Sequence, residues 1–111
     1  MAVIGISSKA SGWVVAGWAY RQILEDVMSR CPNDAEMTHV LEIAIQGDGI
    51  HTKFLDPAVA DRFTRMLSQV VGGILSGEIQ SGIHEKRFGN PHMVNEYREG
   101  LRGLLKTIQA V

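Results

Sequence analysis

The stretch "SGIHEKRFGNPH", residues 81 to 92, gathers two histidines, a glutamate, a lysine and an arginine between glycines and a proline. His84, Lys86 and His92 are the residue types that phosphodiester cleavage uses as general base, charge stabiliser and general acid, since that chemistry needs proton carriers with a pKa near 7. A connection between two helices is also polar and glycine-bounded without any chemistry at all. The solvated connection is the preferred reading, and a His-dependent hydrolase or phosphodiesterase acting as a dimer is the alternative.

Two further pairs have ligand-like spacing. His39 and Glu42 are three apart, and His92 and Glu96 four apart, so each pair shares a helical face. Neither belongs to a signature such as H-E-x-x-H, and two-residue matches arise often by chance. No metal and no cofactor is expected. Cys31 falls on an apolar face at the end of a helix, where the dipole disfavours a thiolate, so it reads as a buried, inert thiol rather than a nucleophile. The chain contains no G-x-S-x-G, phosphate-binding loop or dinucleotide fingerprint. "GDG" at 47 to 49 lacks the acidic ladder of a calcium loop and reads as a turn.

The elements that would carry these residues read mostly as helices. A first helix is expected over about Trp13 to Arg30, with Trp13, Tyr20, Ile23, Leu24, Val27, Met28 and Cys31 on its core face and Pro32 after its end. Val14, Val15 and Trp18 fall on the opposite side, with Gln22, Glu25 and Ser29. An aromatic beside two branched side chains has the composition of a binding hot spot, although a helix that is apolar all round can equally be core.

Asn33 or Asp34 can cap a second helix, in which Met37, Val40, Leu41, Ala44 and Ile45 repeat at helical spacing and Gly47 offers a left-handed stop. A hairpin around residues 40–55 competes, because Leu41, Ile43 and Ile45 alternate before the turn and Ile50, Thr52 and Phe54 after it. The helix is preferred.

Asp56-Pro57 is the clearest start signal, an acceptor followed by proline at a position whose N–H would have no partner in any case. The third helix has the stripe Val59, Phe63, Met66, Leu67, Val70 and Ile74. Gly72 and Gly73, each ~1 kcal/mol worse than alanine within a helix, imply a close crossing or an end. Asn90-Pro91 repeats the start signal for a fourth helix with Val94, Tyr97, Leu101, Leu104, Leu105 and Ile108. The expected fold is therefore all-α, a compact bundle of about four principal helices in one domain over residues 1–111; the alternative is α+β with the hairpin.

With 111 residues, 45 % of them hydrophobic and 21 % charged, the chain can bury one modest core. The apolar run from Gly12 to Tyr20 is too short to span a bilayer, and the N-terminus lacks a basic leader, so neither a membrane anchor nor a signal peptide is expected. One cysteine suits a reducing, cytoplasmic setting. Net charge is −1, but residues 25 to 61 carry eight acids against two bases, and residues 62 to 111 carry seven bases against four acids. That acidic middle would repel nucleic acid and attract a basic protein. Arg62, Arg65, Arg98 and Arg102 are flanked by Asp61, Glu96 and Glu99, and the connection before the third helix is too long for a helix-turn-helix.

The preferred function is thus non-enzymatic protein binding. Glu36, Glu42, Asp48 and Asp56, with Val14, Val15 and Trp18, are the candidate partner-binding residues. Small acidic domains of this kind suggest, by class-level analogy, a bacterial immunity or antitoxin protein that masks a basic surface on a toxin such as a nuclease. A homodimer is compatible with the same surface.

Overall fold

The computed structural model describes residues 2–5, 13–47, 49–84 and 91–109. Four helices account for most of them: α1 (Gly17–Ser29), α2 (Ala35–Gln46), α3 (Pro57–Ser76) and α4 (Pro91–Gln109). Short strands β1 (Ala2–Gly5), β2 (Trp13–Val15) and β3 (Gly49–His51) form a small sheet in the order β2-β1-β3. Two 3-10 turns, Thr52–Phe54 and Gly82–His84, complete the described chain. The compact arrangement of four principal helices expected of an all-α chain is therefore what forms, with a small sheet added to it. No helix among the described residues is long and apolar enough to cross a membrane.

The start signals act where the sequence places them. Asp34 accepts from Met37 N at 3.0 Å and caps α2, while Asp56 accepts from Ala58 N at 3.0 Å and caps α3 with Pro57 as its first residue. Asn90 lies outside the described residues. Gly47 ends α2 in an extended conformation (φ −93°, ψ −176°), correcting the left-handed stop expected there. Among the described residues the left-handed glycine is Gly77, φ 87°, at the end of α3.

One expectation about an element is corrected. Residues 13–15 are a strand rather than the first turn of a helix: Ile4 pairs with Trp13, Val3 with Val14 and Ala2 with Val15, antiparallel. The β-branched pair Val14-Val15 suits a pleated ladder better than a helix, but the ladder exists only because β1 supplies its other side. Over residues 40–55 the preferred helix forms and the alternative hairpin does not. α2 continues to Gln46, and β3 pairs in parallel with β1, Val3 to Gly49, Ile4 to Ile50 and Gly5 to His51. A carbon on Gly5 would sit 2.4 Å from His51 Nδ1, so only glycine lets that imidazole lie across the ladder.

The core is continuous. α1 packs on α2 and α3, α3 packs on α4, and β1, β3 and β2 lean on α1, α2 and α4 respectively. Tyr20, Ile23, Leu24 and Val27 of α1 meet Met37 and Leu41 of α2, Phe63 and Leu67 of α3, and Tyr97, Leu101 and Leu104 of α4, all fully buried. At ~1.5–3 kcal/mol for each large side chain removed from water, these are the residues that hold the layers together. Trp13 closes the sheet end against α4, its Nε1 donating to Gly100 O at 2.8 Å.

Gly73 lies in the last turn of α3, in keeping with the helix end expected there. The chain folds back after Gly77 so that Ile79 N donates to Gly73 O at 3.0 Å and the Ile79 side chain covers the glycine.

Candidate partner-binding site

The stripe of α2 explains where an interaction surface forms. Met37, Leu41 and Ala44 point into the core, while Ile43, on the adjoining side, is 58 % exposed. Beyond Gly47 the chain returns along β3 and the first 3-10 turn. Val40, Ile43 and Ala44 on one side, with Gly49, Ile50 and Leu55 on the other, enclose an apolar groove of about 280 Å³. Phe54, next to Leu55, is 77 % exposed. Its ring meets His51 edge-on at 6.0 Å, and Lys53 Nζ lies 5.0 Å from its centroid. Ile43 and Phe54 are the exposed large hydrophobic residues of the described chain, and both belong to this region.

The carboxylates expected to face a partner are distributed rather than gathered. Glu36 is exposed but accepts from Arg62 Nη1 at 2.7 Å, and Asp34 accepts from the same guanidinium. The Met37 N–H first, then Arg62, holds the Asp34 carboxyl below its ordinary range. Asp56 is engaged in capping α3, and Asp61 pairs with Arg65. Glu42 is exposed on α2; six residues from Glu36, it lies about 120° around the helix at 3.6 residues per turn. Asp48 lies outside the described residues. Val14 and Val15 belong to β2, so they share no helical face with Trp18. Val15 and Trp18 are partly buried against the core, and the Trp18 ring lies 6.3 Å from that of Tyr97.

Among the histidines, His92 sits on the exposed side of α4, 3.2 Å from Glu96. His39 is exposed on α2 beside Glu42. Lys86 and the side chain of His84 lie outside the described residues. Among the described residues no three His, Cys, Asp or Glu side chains converge as a metal cage would require. Cys31 is buried, with its Sγ donating to Val27 O at 3.4 Å, and burial followed by the charge of Asp34 pushes the thiol up.

The chemically most constrained residue is one that a sequence reading assigns to the acidic middle. Asp26 of α1 is 5 % exposed. Its Oδ1 accepts from Gln22 Nε2 at 3.0 Å and Gly82 N at 2.9 Å, and its Oδ2 from Ser81 Oγ at 2.5 Å and Tyr97 Oη at 2.7 Å. A buried carboxylate with four donors is fully satisfied. It ties α1 to α4 and to the segment before the second 3-10 turn. Gln22, expected on the outer side of the helix, is buried with it. Burial first, then the adjacent Asp26 charge, raises the Tyr97 phenol far above the ordinary tyrosine range. The signal was present in the sequence: Gln22 and Asp26 are spaced i, i+4 and border the stripe of Ile23 and Val27.

Comparison with protein-family models, with curated proteins and with solved structures found no match to this chain.

Proposed function

We propose that the protein is a non-enzymatic, cytoplasmic protein-binding module whose contact surface is the groove between α2 and β3. The observation that carries this reading is the exposure of Ile43 in the wall of an apolar depression, together with that of Phe54, the chain neighbour of the lining residue Leu55. Exposed apolar side chains that cluster, rather than scatter, mark interaction sites.

The occupant is a protein segment that inserts apolar side chains and carries basic residues around them. Glu42, exposed next to Ile43 on α2, is the carboxylate that would meet those basic residues, since Asp34 and Glu36 are held by Arg62, Asp61 by Arg65 and Asp56 by the cap of α3. Masking a basic toxin surface, as an immunity or antitoxin protein does, is the finer form of the same proposal, with the exposed Glu42 as its carboxylate.

The test begins with a partner isolated from the native host, identified and purified. Its affinity is then measured for the natural chain and for Ile43→Glu, Phe54→Glu and Glu42→Lys. Loss of at least about ten-fold in affinity, ~1.4 kcal/mol, for either groove variant supports the proposal. Unchanged affinity in both groove variants overturns it. A concentration-dependent homodimer abolished by Ile43→Glu would instead identify a second copy as the occupant and refute the basic-partner form.

A further inference from the structure

A second depression, which shares no lining residue with the groove, lies where α3 ends. It has a volume of about 390 Å³, within the ~300–1,000 Å³ usual for small-ligand pockets. Ile74, Ile79, Ile83 and Val94 give it an apolar side, while Gln80, Ser81, Tyr97 and Arg98 give it a polar one.

Arg98 decides what such a cavity would hold. Its Nη1 donates to Ile74 O at 3.2 Å and its Nη2 to Leu75 O at 2.8 Å, which fixes the guanidinium over the last carbonyls of α3. A guanidinium has five N–H donors, so three remain beyond these two bonds. Among the described residues Arg98 pairs with no carboxylate. The C-terminal dipole of α3 offsets roughly half a unit charge, leaving a net positive group at the cavity wall. Asp26, the nearby buried anion, does not line the cavity and is enclosed by its four donors.

We infer that this cavity is a binding site for a small amphipathic carboxylate, its head on Arg98 and its aliphatic chain against Ile74, Ile79, Ile83 and Val94. A carboxylate suits the remaining N–H fork of a guanidinium held in place in advance, and charge-assisted bonds of that kind are about twice as strong as neutral ones. The site is separate from the α2–β3 groove and does not depend on its role.

The experiment is an amide NMR titration of the full chain with hexanoate, hexanol and hexylamine, which share a tail and differ in head group. Hexanoate is expected to give saturable shifts confined to residues 74–83 and 94–98, with hexanol at least about ten-fold weaker and hexylamine not binding there. Arg98→Gln should lose at least about ten-fold in hexanoate affinity. Because Arg98 also holds the end of α3, Val94→Trp provides a second variant that fills the cavity and leaves the arginine in place; it too should abolish the shifts. Equal response to hexanoate and hexanol overturns the inference, as do preference for hexylamine, shifts elsewhere on the molecule, or no saturable shift at the solubility limit. Retained hexanoate binding in Val94→Trp refutes the placement.

Discussion

Tyr97 donates its phenolic hydrogen to Asp26 Oδ2 at 2.7 Å, joining α4 to α1 across 71 positions of sequence. Ser81 and Gly82 reach the same carboxylate from the segment between α3 and α4. One buried side chain therefore fixes three separate stretches of chain, each through a bond made in low dielectric where an unmade bond is costly.

Removing either end of this contact should be expensive. Tyr97→Phe keeps the ring and loses the hydroxyl, so its expected cost is roughly 1.5–3 kcal/mol, the range for a hydrogen bond to a charged group. Asp26→Asn keeps the shape but turns one acceptor into a donor that faces two existing donors. Leaving those unsatisfied, at ~1–3 kcal/mol each, predicts a loss of about 3 kcal/mol or more. Urea unfolding of both variants measures this, and values within ~0.5 kcal/mol of the natural chain would show that the network contributes little.

The phenol also predicts an alkaline limit. Its folded pKa lies above the unfolded value of ~10, so folding favours the neutral form. The stability it contributes is complete below that unfolded value and is lost as pH rises beyond it toward the folded one. Ultraviolet titration of the two tyrosines should therefore show Tyr97 ionising only together with unfolding. Tyr97→Phe should flatten the fall in stability above pH ~10; an unchanged slope would contradict the assignment.

Much of the architecture could be read from local pattern. Asp34, Asp56 with Pro57, and the stripes of α3 and α4 are signals contained within a single turn or a single face, and each element starts or runs where they place it. What could not be read depends on distant partners. Trp13, Val14 and Val15 are helix-compatible until β1 is laid beside them, and Gly49–His51 becomes a strand only by pairing with the same β1. Of the candidate surface, Glu36 and Asp56 were recognisable as exposed acids, but not as the partners of Arg62 and the Ala58 N–H. Asp26 was hidden by its residue type, since a net-charge count treats a buried, four-fold bonded carboxylate like a solvated one.

Adjacent glycines in α3 should respond in opposite directions to the same substitution. A carbon added to Gly72 meets nothing within 4 Å, so Gly72→Ala should stabilise by about 0.5–1 kcal/mol through helix propensity. A carbon on Gly73 would lie 2.4 Å from Ile79 Cδ1 and 2.6 Å from Cγ1. Overpacking there, at ~1–3 kcal/mol, should outweigh the propensity gain and lower the melting temperature. Thermal unfolding of the pair decides it, and two stabilised variants would mean that Ile79 does not cover the helix.

Ile43→Glu and Phe54→Glu should leave the fold intact, because neither side chain is in the core. Each is expected to shift unfolding free energy by no more than ~0.5 kcal/mol, measured by denaturant titration alongside the affinity assay. A larger loss would mean that these residues support the domain itself, and any affinity change in them would then lose its meaning.

The central position of β1 has a consequence for how the chain comes together. Both neighbours of the sheet depend on Ala2–Gly5, yet the farther one, β3, follows α1 and α2 in the chain. Closing that loop carries an entropic cost that the neighbouring pairing of β1 with β2 largely escapes. Losing the pairing of Ala2–Gly5 would unmoor both outer ribbons at once.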